Sequence, residues 1–176
     1  MTEQSDAHAT LEQRLRLVED KLAILNLIAS HPLGADTGAA AHVLSMWTED
    51  GVIDLAGGKE AAGSVAIADM VAAPGHKAAI AGGLAHFAGL PHVALTGDTA
   101  TVTSYLQILA PQPVGDPVEV PNHGASRGFR VHRVGVNRWE LVRTAAGWKI
   151  KRRTLRPLDG SEAARALLRQ AIDGAG

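Results

Sequence analysis

Apolar residues recur at Leu11, Leu15, Val18, Leu22 and Leu25, a spacing that gathers them on one face of a helix. Thr10 and Gln13 form a capping box at its expected start, with the Thr10 hydroxyl accepting from the amide of Gln13. Glu12, Arg14, Arg16, Glu19 and Lys21 flank the stripe. From Leu22 to Ala29 the helix is apolar on nearly every side, which predicts that its second half is buried. Pro32 and Gly34 are expected to interrupt it. Asp36 and Thr37 are good N-caps for a second helix that turns Ala40, Val43, Leu44 and Trp47 inward and ends at Asp50 and Gly51. Gly51 to Leu55 reads as a short strand. Ser64 caps a third helix, and Pro74 with Gly75 is expected to stop it.

The rest of the pattern is strand. Leu84 to Thr96 and Thr99 to Leu109 flank Gly97 and Asp98, a hairpin-turn signal. Phe129 to Val142 is one long strand whose apolar phase slips twice, from Phe129 and Val131 to Val134 and Val136, then to Trp139 and Leu141. Slips of that kind predict β-bulges, which bend a sheet. Trp148 to Leu155 is a last strand and Ser161 to Ile172 a closing helix. Residues 111–127, rich in Pro and Gly, are too long for a simple hairpin loop and are expected to be a lid or an insertion. Helices followed by long antiparallel strands predict an α+β fold. It takes the form of a cone-shaped roll: a strongly curved, mostly antiparallel sheet, about three N-terminal helices over its concave face, and a C-terminal helix. Residues 1–9 are expected to be a flexible terminus and 10–176 a single domain.

Composition narrows the function. The chain has 176 residues, 17 basic against 18 acidic, and a net charge of −1, with no surplus of the kind that nucleic-acid binders carry. With no cysteine, thiolate nucleophiles, disulfides and cysteine–zinc sites are excluded. Aromatic residues are so few that aliphatic side chains must line any cavity. No apolar run reaches membrane-spanning length and the first ten residues lack the apolar centre of a signal peptide, so the expected setting is the cytoplasm.

The order of elements, with Asp50-Gly51-Val52, Gly97-Asp98-Thr99-Ala100 and Gly147-Trp148-Lys149-Ile150, resembles the SnoaL-like branch of the nuclear transport factor 2-like superfamily over about residues 11 to 156. The stretch from Pro32 to Asp36 is similar to the end of the first helix in the hexachlorocyclohexane dehydrochlorinases. Ala85-His86-Phe87 is similar to the strand that carries the catalytic histidine there and in the scytalone dehydratases. The resemblance implies that Asp36 orients His86, which acts as the general base, and that His31 and Arg153 belong to the pocket. The tyrosines and second histidine of the scytalone dehydratases are replaced by Ala35, Leu55 and Leu106. Dehydration by their water-activating route is therefore not implied.

A neutral imidazole beside a carboxylate is a proton acceptor whose charged form the carboxylate stabilises. That chemistry suits a cofactor-independent lyase, isomerase or cyclase acting on a hydrophobic, cyclic small molecule. Leu55, Val102, Leu106 and Ile108 are the expected substrate-binding wall, with Val52 and Leu84. The plainer reading is that His86 only satisfies Asp36 in a core, in a non-catalytic binding or assembly domain of the same fold. The alternation of Trp148 and Ile150 turns Arg152 inward, whereas the resemblance turns Arg153 inward; both stand at this point. No metal-ligand spacing or phosphate loop is present, so no metal and no cofactor are expected. A homodimer or higher homo-oligomer is expected through an apolar outer sheet face containing Val93, Leu95, Val134, Val136 and Trp139.

Overall fold

The computed structural model describes residues 2–173, with side chains from Thr10 onward. Its elements run α1 (Thr2–Thr37), α2 (Ala40–Met46), β1 (Trp47–Leu55), β2 (Lys59–Ala62), α3 (Ser64–Ala72), α4 (Pro74–Ala81), β3 (Ala85–Ala88) and β4 (His92–Thr96). Then come β5 (Thr99–Pro111), β6 (Val118–Val120), β7 (Gly124–Ser126), β8 (Phe129–Thr144), β9 (Gly147–Pro157) and α5 (Glu162–Asp173). The backbone of residues 2–9, where a flexible terminus was expected, is part of α1, so Thr10 lies within the helix rather than at its start.

Two proline expectations are corrected. Pro32 does not interrupt α1, which continues to Thr37. A proline inside a helix removes one hydrogen bond and crowds the preceding turn, at a cost of roughly 3 kcal/mol. Burial of Ile24, Ile28, His31 and Ala35 on both sides of it holds the helix in place. Gly34 adds to this, because a Cβ there would meet Val43 Cγ2 at 2.9 Å and His42 Cδ2 at 3.0 Å; its absence lets α2 lie directly against α1. Asp36 and Thr37 therefore do not cap α2 but form the last turn of α1, where the Thr37 hydroxyl donates back to the Leu33 carbonyl (2.6 Å). Pro74, in turn, opens a fourth helix instead of only stopping the third. At a first helical position its missing N–H costs nothing.

The main sheet has the order β2-β1-β9-β8-β5-β3, with β4 also paired to β5. All pairs are antiparallel except β1 with β9. Register shifts bend it at three places. Between Ile108 and Leu109 of β5, His132 of β8 is the extra residue, at the first of the two expected slips. A second shift lies between Glu140 and Leu141 of β8, and there the extra residue, Lys151, belongs to β9. The third lies in β1 between Trp47 and Val52.

On the concave face, Ile24 and Ile28 of α1 and Val43 and Met46 of α2 pack with Val102, Trp139, Leu141 and Ile150 in one buried cluster. The polar anchor at this end is Asp20, whose carboxylate accepts from both terminal nitrogens of Arg143 (2.6 and 2.5 Å) and from the Trp148 indole (3.1 Å). These partners hold its pKa below the usual carboxylate value, Arg143 first among them.

Of the residues expected on an apolar outer face, Val93, Leu95 and Trp139 turn to the core instead. Val93 and Leu95 pair with Val102 and Ala100 and pack on the core, and Trp139 is 2% exposed on the concave side. Val136 is wholly buried. Val136 shares strand phase with Arg138, which donates to Gln170 of α5 (3.0 Å), so the outer face is the one that α5 covers. Within residues 111–127, β6 and β7 form a separate exposed hairpin.

Candidate functional site

Four elements bring the site together. Asp36 comes from the last turn of α1 and His86 from β3, where His86 pairs with Ile108 of β5 and so shares its concave face. The His86 ring donates from Nδ1 to Asp36 Oδ1 at 2.6 Å, and the His86 backbone N–H donates to Oδ2 at 2.9 Å. One carboxylate thus holds both the ring and the strand that carries it. With Nδ1 committed as a donor, Nε2 is left as the acceptor in the neutral ring. The two side chains are 15% and 28% exposed.

His86 lines a cavity of about 340 Å³, together with His31, Ala35, Leu55, Leu106, Ile108 and Arg153. That is room for a small organic molecule. Arg153 crosses its floor. It pairs with Ile53 on one side and Trp139 on the other, its guanidinium carbon lies 4.7 Å from the centre of the Trp139 ring, and Nε donates to Asn137 Oδ1 (3.0 Å). Nη1 donates to His31 Nε2 (3.3 Å), and the His31 ring meets the edge of Trp139. Among the described residues Arg153 has no carboxylate partner. Burial lowers its pKa to about 10, which leaves it a cation at neutral pH. Burial, then the charge of Arg153, holds His31 well below its ordinary value of 6.5, so His31 is neutral and fit to accept that hydrogen bond.

The bulge at Lys151 decides between the two arginines. Trp148 and Ile150 are buried, one residue is inserted, and the buried phase resumes at Arg153 and Leu155. Arg152 is turned to the outer face, where it meets Asp54 and Glu60 at 3.4 Å each. Asp54 is gripped more closely by Arg156 (2.7 Å), and that contact is the main cause of its lowered pKa.

The expected wall is met in part. Leu55, Leu106 and Ile108 line the cavity; Val102, Val52 and Leu84 do not. Val102 shares the inner face of β5 but lies four residues along from Leu106, roughly 13 Å away at strand rise, where α1 and α2 fill the space. The lining is also more polar than an apolar pocket, since Lys59 and Arg133 reach it. His76, which the pattern assigned no role, is a further wall residue. It sits in the first turn of α4, donates from Nε2 to the Ala35 carbonyl (2.7 Å), and lies 6.1 Å from His86 between ring centres. The one signal for it was Pro74, as a helix start. No residue of 111–127 lines the cavity. Among the described residues no group of three His, Asp or Glu is arranged to hold a metal ion, and no helix is long and apolar enough to cross a membrane.

A model of the SnoaL-like domain matches residues 16–154. A nuclear transport factor 2-like protein with a cystatin-like fold from Novosphingobium aromaticivorans is 40% identical, covering 91% of this chain and 96% of its own, with a TM-score of 0.79. A candidate scytalone dehydratase from the same organism is 20% identical over 82% of this chain and 87% of its own (TM-score 0.62). A candidate ketosteroid isomerase from Shewanella frigidimarina is 19% identical over 76% and 94% (TM-score 0.55). The last two likenesses are of fold alone. No curated protein matches the sequence.

Proposed function

The chain belongs to the SnoaL-like domain family, and on that premise we propose that it is a cofactor-independent lyase, isomerase or cyclase acting on a hydrophobic, cyclic small molecule. The observation that carries this reading is the 2.6 Å contact between His86 Nδ1 and Asp36 Oδ1 at the wall of the cavity. His86 Nε2 takes a proton from a carbon next to a carbonyl or a leaving group. The C–H electron pair moves into the substrate, either expelling the leaving group or forming an enolate. Asp36 stabilises the imidazolium that results. Leu55, Leu106 and Ile108 hold the apolar body of the substrate, and His31 and Arg153 receive its oxygen. From an enolate the proton returns from His86 to another atom of the substrate, and in an elimination it leaves His86 for the expelled leaving group or solvent. Structures of the same fold are named as a dehydratase and an isomerase, a likeness of fold with which this chemistry is compatible.

The test is a screen of cyclic ketones, enols and halides, followed by His86→Ala and Asp36→Asn on whichever substrate turns over. General-base catalysis is worth about 10²–10⁴-fold, so each variant is expected to lose at least about 100-fold in kcat. The double variant is expected to be little worse than either single one, because the two residues act as a unit. An activity that survives His86→Ala unchanged removes the base from the mechanism.

A further inference from the structure

Among the described residues the stripe on the first half of α1 has no partner. Leu11, Leu15, Val18 and Leu22 are 61%, 55%, 53% and 56% exposed. At about 100° per residue they lie on the side of the helix opposite Asp20 and Ile24, which fasten α1 to the body through Arg143 and the core. From Asp20 onward the helix buries one face, whereas from Thr10 to Glu19 it is exposed all round, with Leu17 50% exposed on the body side, and over both stretches the apolar stripe points outward.

The spacing and charges of that face say what covers it. From Leu11 to Leu25 the apolar residues are separated by four, three, four and three positions, the heptad alternation of a coiled-coil seam, which a merely core-facing helix does not need. Beside the seam stand Glu12 and Glu19 on one flank and Arg14 and Lys21 on the other, and among the described residues none of these four is in an ion pair. If a second copy of the helix runs parallel and in register, Arg14 of one copy faces Glu19 of the other. An antiparallel pair sets acid against acid and base against base, which is unfavourable.

We propose that the chain forms a parallel homodimer through the Leu11–Leu22 face of α1, with the two bodies on opposite sides of the helix pair. Over Leu11–Leu22 each body lies away from the seam of its own helix, and the seam ends at Leu25, where the Ala88–Pro91 stretch comes beside α1. This interface is independent of the cavity and of any chemistry in it.

Sedimentation equilibrium at micromolar concentration is expected to give a dimer for the full chain. Leu15→Glu with Val18→Glu is expected to give a monomer with an unchanged circular dichroism spectrum, since both side chains are exposed. Arg14→Glu is expected to raise the dimer dissociation constant, and adding Glu19→Arg to bring it back. The chain has no cysteine, so in Val18→Cys the introduced thiol is the only one, and on oxidation it is expected to link two chains, as facing positions of a parallel pair do. A monomeric parent protein, or a dimer that survives the paired Glu substitutions, overturns the proposal. So does a dimer that they disrupt but that Val18→Cys fails to crosslink, because the pair is then not parallel and in register.

Discussion

The two ends of the concave face are built by the same elements and treat charge in opposite ways. At the closed end α1 contributes Asp20, Ile24 and Ile28, and the strands contribute Leu141, Trp148 and Ile150. The one buried carboxylate there has a guanidinium against both of its oxygens. At the cavity end the same helix contributes His31, Ala35 and Asp36 and the same strands Asn137 and Arg153. The buried cation there leans on an amide, a neutral imidazole and an aromatic face, and the only carboxylate from α1 is turned to His86. A paired buried charge is a fastening; a buried charge without a counter-ion is a cost to the fold that a ligand can offset.

Substitutions that remove one charge from each end are expected to have opposite signs. Asp20→Asn removes the buried carboxylate that Arg143 and Trp148 hold and is expected to destabilise the protein by about 2 kcal/mol, read as a lower urea midpoint at an unchanged slope. Arg153→Met, which keeps volume and removes the unpaired cation, is expected to be neutral or to stabilise by about 1 kcal/mol, while any oxygen-bearing ligand found for the cavity binds more weakly. Should Arg153→Met destabilise the fold as much as Asp20→Asn, the two ends do not differ in this way and Arg153 is structural.

The smallest effect expected is a pH dependence. His31 is held neutral in the folded chain, well below the 6.5 of the exposed ring. As pH falls through 6.5 the unfolded chain takes up a proton that the folded chain refuses, so stability present above that value is lost below it. From pH 7 to pH 6 the loss from this one group is about 0.7 kcal/mol. His31→Asn is expected to flatten the slope of the urea midpoint against pH over that interval. The carboxylates whose pKa values are lowered, Asp20 and Asp54, act only near and below their ordinary value of 3.8 and leave the window clear.

Much of this was legible in the residue pattern. The three long strands β5, β8 and β9, the hairpin at Gly97 and Asp98, a bend near Val131 and the α+β class all come from local periodicity and turn chemistry, which act over a few residues; the short strand β2, the hairpin of β6 and β7 and the division of Leu84 to Thr96 into β3 and β4 do not. Asp36 and His86 were legible as a pair through resemblance, although their contact joins positions 50 residues apart. His76 was hidden because Pro74 reads as a stop when it is in fact a start, and a proline signals either one depending on the residues after it.

The tertiary structure alone chose between Arg152 and Arg153. Strand alternation from Trp148 and Ile150 points Arg152 inward, and nothing within β9 marks Lys151 as an extra residue. The insertion exists because β8 and β9 must keep pairing around a bent sheet, and one added residue reverses every side chain beyond it. The same holds for Pro32, where burial of Ile28, His31 and Ala35 outweighs a local preference to break, and for Val136, whose environment is set by α5 packing across the outer face. Local sequence determines where the chain is helix, strand or turn because those preferences are short-ranged. Which face a residue occupies, and hence which arginine stands in the cavity, depends on pairings between distant segments that no stretch of the chain carries by itself.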